Sequence, residues 1–130
     1  MLLVKTKIGP SKISGIGLFA GEFIPKGTMI WKFQEGFDIR IDKNYPATLE
    51  KSERDNFFTY AYQNPKTLNY VLCGDNDKFC NHSDTPNIGN IPNQEDEDPM
   101  DIALCDIQIG EELTIDYRVF DANPFYGFEK

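Results

Sequence analysis

Three short stretches of this chain carry side chains suited to chemistry. The first, DKFCNHSDTPN over residues 77–87, holds the only histidine, His82, between Asn81 and Ser83. An amide with donors and an acceptor, an imidazole and a hydroxyl in consecutive positions can hold a polar ligand from several sides. The same residues can equally satisfy one another and nearby backbone inside a core. The second stretch, KISGIGLFA, places Gly15 and Gly17 around Ile16. Glycine lets a chain turn tightly or pass close to a ligand, although a lone G-x-G often serves only a turn or bulge. The third, IGEELTIDY, ends on Asp116 and Tyr117, whose hydroxyl can orient a reacting group or whose ring can simply close a strand. Cys73, Cys80 and Cys105 form no C-x-x-C pair, and a Cys80/His82 half-site lacks further ligands at metal spacing, so the thiols read as reduced and no metal is expected.

The elements that must position these residues are short. LLVKTKI, GLFAGEF, TMIWKF, LNYVLC, MDIALC and ELTIDY are strand-length runs rich in β-branched and aromatic residues, bounded by clusters such as GPSKISG, IPKG, QNPKT, GDND and QIGEE. One segment differs. SERDNFFTYAY opens on Ser52 with Asp55 three residues on, a capping-box pattern, and then sets Phe57, Tyr60 and Ala61 at helical spacing. The expectation is a mostly β domain of small twisted sheets with one or two short helices and no internal repeat.

Length and charge bound the function. At 130 residues the chain is read as one domain, and no run approaches the ~18 apolar residues of a membrane span. Lysines interrupt MLLVKTKI too early for a signal peptide, so a soluble intracellular protein is the default. Thirteen basic and twenty-one acidic residues give a net charge of −8. No Lys or Arg lies between Phe79 and Tyr117, a span that holds Asp84, Glu95, Asp96, Glu97, Asp98, Asp101, Asp106, Glu111, Glu112 and Asp116. That field repels phosphate backbones, which argues against direct nucleic-acid binding, and attracts a lysine-rich peptide. The run NQEDED, taken alone, reads as a solvated loop.

In their fixed order the three motifs resemble those of the SET domain of protein-lysine methyltransferases. Lys78, Phe79, Asn81, His82, Ser83, Pro86 and Asn87 match the family's R/K-F-x-N-H-S-x-x-P-N, and the C-terminal stretch matches its G-E-E-L-T-x-D-Y. The likeness runs from KIGPSKISGIGLFA through LTIDY. It implies a β-clip-like fold over 1–130, with a core at about residues 5–118, a C-terminal pseudoknot, and the tail 119–130 closing the site. It implies S-adenosylmethionine as cofactor, held by backbone of Ile16, Gly17 and Leu18 and by Asn81, His82 and Tyr117. Tyr117 becomes the catalytic residue, orienting a substrate amine. A narrow aromatic channel for the lysine stem is implied at Tyr60, Tyr62, Ile115 and Phe120, with Phe125, Tyr126 and Phe128 as further aromatic candidates. The partner is then a basic, lysine-bearing protein or peptide, a histone tail among the candidates.

Two departures from the family pattern stand out. Many members carry three zinc-binding cysteines after the tyrosine, and none follows Tyr117; Asp84 stands where a cysteine usually follows Asn-His-Ser. Ile115 occupies the position, two before the tyrosine, that is linked to how many methyl groups are added. The rival readings are a SET-like binding module without catalysis and an unrelated β-clip protein. The second has no need of the Asn-His-Ser motif.

Overall fold

The computed structural model describes residues 1–124. The candidate channel residues Phe125, Tyr126 and Phe128 lie outside them. Among the described residues ten strands form two sheets. The larger runs β1 (Thr6–Pro10), β2 (Ile16–Ala20), β10 (Glu112–Ile115), β8 (Ile88–Ile91), β9 (Met100–Ala103) and β3 (Met29–Trp31), with β7 (Asn81–His82) also on β10. The smaller has the order β4 (Ile39–Ile41), β6 (Tyr70–Leu72), β5 (Tyr62–Gln63). This is the mostly β architecture expected, although β4, β5, β7 and β8 were not among the predicted runs. Each is two to four residues long, too short for alternation to show.

Leu18, Ala20, Ile24, Ile30, Ile88, Ala103, Ile107, Leu113 and Ile115 form the main core, and Trp31, Phe33, Val71 and Cys73 a second cluster. Alternation on β2 sends Leu18 and Ala20 inward and leaves Phe19 between them less buried.

β10 threads the molecule. Ile115 pairs in parallel with His82 of β7 and also with Ile88 of β8. A strand residue has one neighbour on each side, so β7 and β8 flank β10 on opposite edges. Only residues 83–87 connect them, and that link must therefore pass around the end of β10. The Asn87 side chain closes the wrap: its amide donates to the Glu112 carbonyl and its oxygen accepts from the Thr114 N–H, both at 2.8 Å.

The helix α1 spans Lys51–Tyr60, but its cap is not the Ser52/Asp55 pair. Glu50 is the N-cap and Glu53 completes the box, accepting from the Glu50 N–H at 2.9 Å. The same i, i+3 geometry two residues earlier wins, and Asp55 turns instead to Lys51 at 2.6 Å. No residue of α1 is fully buried; Phe57 anchors it edge-on to Tyr70 at 5.2 Å and to Tyr45 at 5.9 Å.

The acidic run NQEDED also departs from its solvated reading. Asp98 is completely buried. The Arg40 guanidinium from β4 reaches Asp98 at 2.5 Å, Asp96 at 2.7 Å and Glu97 at 3.0 Å, and stacks over Phe33 at 3.9 Å. Asn64 donates to the second Asp98 oxygen at 3.0 Å. One positive charge is thus shared among three of the loop's carboxylates, so part of the charge credited to it as a lure for basic peptides is already engaged within the chain.

Candidate functional site

A cavity of about 240 Å³ opens between the two sheets. Ser14, Gly15, Ile16 and Asn81 line one part of it, and Tyr60, Tyr62, Ile115, Tyr117 and Phe120 another. The structure therefore gathers seven of the ten residues that the resemblance assigns to cofactor and lysine channel around one space. Gly17, Leu18 and His82 are not on its lining. Leu18 is fully buried in the core and strand-paired on both sides, to Ile8 and to Leu113.

The two glycines of the G-x-G turn do different work. Gly15 adopts φ +45°, the left-handed region where a side chain is strained. Gly17 has extended backbone, but a Cβ there would lie 2.5 Å from Oε2 of Glu112. What approaches Gly17 closely in this structure is a carboxylate of the chain itself. Gly17→Ala is expected to lower stability by about 1–3 kcal/mol through overpacking. A thermal melt equal to that of the parent protein would mean that Glu112 swings aside freely.

Glu112 is held where it is by Ser11, whose hydroxyl donates at 2.8 Å from 101 positions away, and by the Asn81 amide at 3.1 Å. Asn81, buried at 8% exposure, also lies within 3.0 Å of the Ser14 carbonyl, 3.1 Å of the Ser11 hydroxyl and 3.3 Å of the Ile16 carbonyl. Two amide hydrogens face four acceptors, so this NH₂ is spent on the chain. Its work is to tie the glycine turn to β7 and β10. Sequence reasoning credited the Asn81 donors to a ligand and passed over Ser11 and Glu112. The available signal was a carboxylate opening the polar face of a strand after GE.

His82 accepts the Tyr117 N–H at Nδ1 (3.1 Å) and contacts Asp84 through Nε2 (3.0 Å). Acceptance at Nδ1 places the ring proton on Nε2, directed at the Asp84 carboxylate. The histidine thus pins the backbone from which the tyrosine projects, and its ring meets that of Tyr117 edge-on at 5.4 Å.

The Tyr117 hydroxyl donates to the Cys80 carbonyl at 2.7 Å. Burial, reinforced by the negative potential of Cys80, Asp121, Asp77 and Glu112, holds this phenol well above its ordinary range. It stays protonated at physiological pH and cannot serve as a base; its lone pairs remain as acceptors. Phe120 stands between Tyr117 (5.9 Å) and Tyr62 (5.0 Å), both edge-on, and Tyr60 sits further out, 43% exposed, against Phe79. Burial likewise pushes the thiols of Cys73 and Cys80 well up, so neither offers a thiolate nucleophile. Among the described residues no group of three or more His, Cys, Asp or Glu is placed to hold a metal ion.

Known proteins resemble this chain in sequence and in fold. The chain is 29% identical over 111 residues to histone-lysine N-methyltransferase 2D of Homo sapiens and, to the same degree, of Mus musculus. The match covers 83% of this chain and spans about 2% of the length of those curated relatives. In fold, a solved Plasmodium falciparum chain aligns with TM-score 0.60 at 24% identity, covering 89% of this chain and 95% of that one. A Chaetomium thermophilum Polycomb Repressive Complex 2 structure bound to the inhibitor GSK126 aligns with TM-score 0.65 at 18% identity, covering 95% of this chain and 16% of that one. The family model of the SET domain matches from residue 15 through residue 118, the stretch that contains the glycine turn, the threaded strand and Tyr117, and the chain belongs to that family.

Proposed function

We propose that this chain is a protein-lysine N-methyltransferase that uses S-adenosylmethionine, with a basic protein, a histone tail first among candidates, as substrate. The observation that carries the reading is Tyr117: a protonated hydroxyl tied to a carbonyl, at a cavity walled on one side by the glycine turn and on the other by aromatic rings. The residues present suit the cofactor. Ser14, Gly15 and Ile16 bring backbone to the cavity, Gly15 leaves open space where a Cβ would stand, and the neutral phenol of Tyr117, a weak nucleophile, can face a sulfonium. Bound there, S-adenosylmethionine supplies an electrophilic methyl group.

The chain's own residues do the rest. Asn81 and Glu112 hold the turn, and His82 fixes the Tyr117 backbone. Once the lysine has lost its proton to solvent, the Tyr117 oxygen, its hydrogen committed to Cys80, accepts an N–H of the neutral amine and so aims the nitrogen lone pair. Tyr62, Ile115 and Phe120 cover the aliphatic stem and exclude water, with Tyr60 at the mouth. No helix of the described residues is long and apolar enough to cross a membrane.

The test is incubation with methyl-labelled cofactor and a panel of purified histones and cell extracts, reading which protein takes label. The reading expects a labelled band that is competed away by unlabelled cofactor. Cofactor at about a hundredfold over Kd should also raise stability by about 2.7 kcal/mol. A melt unmoved by saturating S-adenosylmethionine or its demethylated product sinks the proposal. Binding without transfer to any protein of the panel favours the non-catalytic module.

A further inference from the structure

The same cavity has a wall that the proposed chemistry does not use. Trp31 on β3, Asp101 on β9 and Asn90 on β8 are direct cross-strand neighbours, Trp31 opposite Asp101 and Asp101 opposite Asn90, so their side chains share one face. All three line the cavity, and Asp77, from the short helical turn Asn76–Phe79, joins them. Asn90 donates its amide to the Asp101 carboxylate, and the Cys73 thiol lies 3.8 Å from Asp77. Among the described residues neither acid has a hydrogen bond or ion pair to a Lys or Arg side chain.

Two polar atoms here are buried without a partner among the described residues: Oδ1 of Asn90, an acceptor that an ammonium can satisfy, and the indole Nε1 of Trp31, a donor that an ammonium leaves as it is. Buried donors and acceptors are nearly always satisfied, so this wall is incomplete as it stands. Burial, and then the like charge of Asp75, pushes Asp77 up to about 7, with the Met1 ammonium and the Cys73 thiol pulling the other way and Asp38 adding to the rise. Asp101 is held well above the carboxylate range by burial and by Asp77. The Met1 ammonium offsets part of this for both acids but bonds to neither, and a cation brought between the two carboxylates relieves their mutual repulsion directly.

We propose that Asp77, Asp101 and Asn90 form a subsite for a primary alkylammonium, the charged form in which a substrate lysine enters the cavity. The chemistry matches in number: an ammonium has three donors and no acceptor, and the wall offers two carboxylates and the free Asn90 oxygen. The Trp31 ring adds a surface that favours a cation. Desolvating an ammonium among the aromatic rings is costly unless such partners receive it. The assignment of the ammonium to a lysine rests on the methyltransferase reading; the subsite itself does not.

Trp31 is the only tryptophan, so its indole N–H gives a single, isolated signal in a nitrogen-proton correlation spectrum of the whole chain. The probes are n-butylammonium chloride, which copies the lysine side chain, and n-butanol, equal in length and uncharged, each titrated without cofactor. The expected result is a saturable shift of the indole signal with butylammonium, at least tenfold weaker or absent with butanol. Asp77→Asn and Asp101→Asn should each weaken butylammonium binding at least tenfold. Equal shifts by the two probes, no shift by either, or unchanged binding in both Asn variants overturns the subsite. If a variant fails to fold, the two-probe comparison on the unaltered chain still decides. Butylammonium binding in a protein that labels no substrate leaves the subsite standing and removes the methyltransferase reading; methyl transfer without butylammonium binding does the reverse.

Discussion

Tyr117→Phe is expected to abolish methyl transfer, by at least about a hundredfold, while leaving the fold and cofactor binding close to those of the parent protein. The ring remains to pack on Phe120 and His82, and the backbone N–H still reaches Nδ1 of His82 at 3.1 Å. What disappears is the oxygen held by the Cys80 carbonyl at 2.7 Å, the group proposed to orient the amine. The Cys80 carbonyl loses its donor, which costs about 1–3 kcal/mol and should be visible as a modestly lower melt. Labelled-methyl counting and calorimetry with the cofactor, run on the same preparations, separate the two effects. An active Phe variant would move the orienting role to Tyr62, the next hydroxyl along the aromatic row.

The largest loss of stability should come far from the chemistry, at Arg40. Arg40→Met keeps much of the apolar stem but removes the guanidinium from Phe33 and strands Asp98, which is completely buried and retains only the Asn64 amide, with Asp96 and Glu97 left unneutralised beside it. Removing one partner of a buried pair typically costs about 3–5 kcal/mol. Denaturant unfolding measures it, and a rescue arm sharpens it: Arg40→Met with Asp98→Asn should recover most of the loss, because the uncompensated charge is then gone. A single mutant within about 0.5 kcal/mol of the parent would show that water reaches Asp98 and that the network is decorative.

How much of this was legible depended on how far apart the cooperating residues lie. A strand such as β10 announces itself, because apolar Leu113 and Ile115 alternate with polar Glu112 and Thr114. β7, two residues of Asn-His, has no pattern of its own and exists because β10 runs beside it. The motif residues Ile16, Asn81 and Tyr117 do meet at one cavity. Their division of labour was not legible. Asn81 spends its donors on Ser11, Ser14, Ile16 and Glu112, a set drawn from both ends of the chain. The Arg40 cluster was missed for the same reason: the run between Phe79 and Tyr117 contains no base, and the base that neutralises its acidic loop sits on a strand 56 to 58 positions earlier. Charge counted along a sequence says little about charge felt in space.

The passage of residues 83–87 around β10 also sets a timetable for the birth of the protein. Glu112–Ile115 supplies the central strand to partners at Leu18, Asn81 and Ile88, so everything that neighbours it is synthesised first and must wait. Until then β2 and β8 lack the strand that helps to cover Leu18 and Ile88, apolar surface of the kind that chaperones shield. Contacts this distant in sequence fold slowly. Tyr117 follows the threaded strand directly, so the hydroxyl and its Cys80 carbonyl come together only once the strand is seated: a ribosome-bound chain stalled before Glu112 would carry the glycine turn and the Asn-His-Ser segment yet have no site.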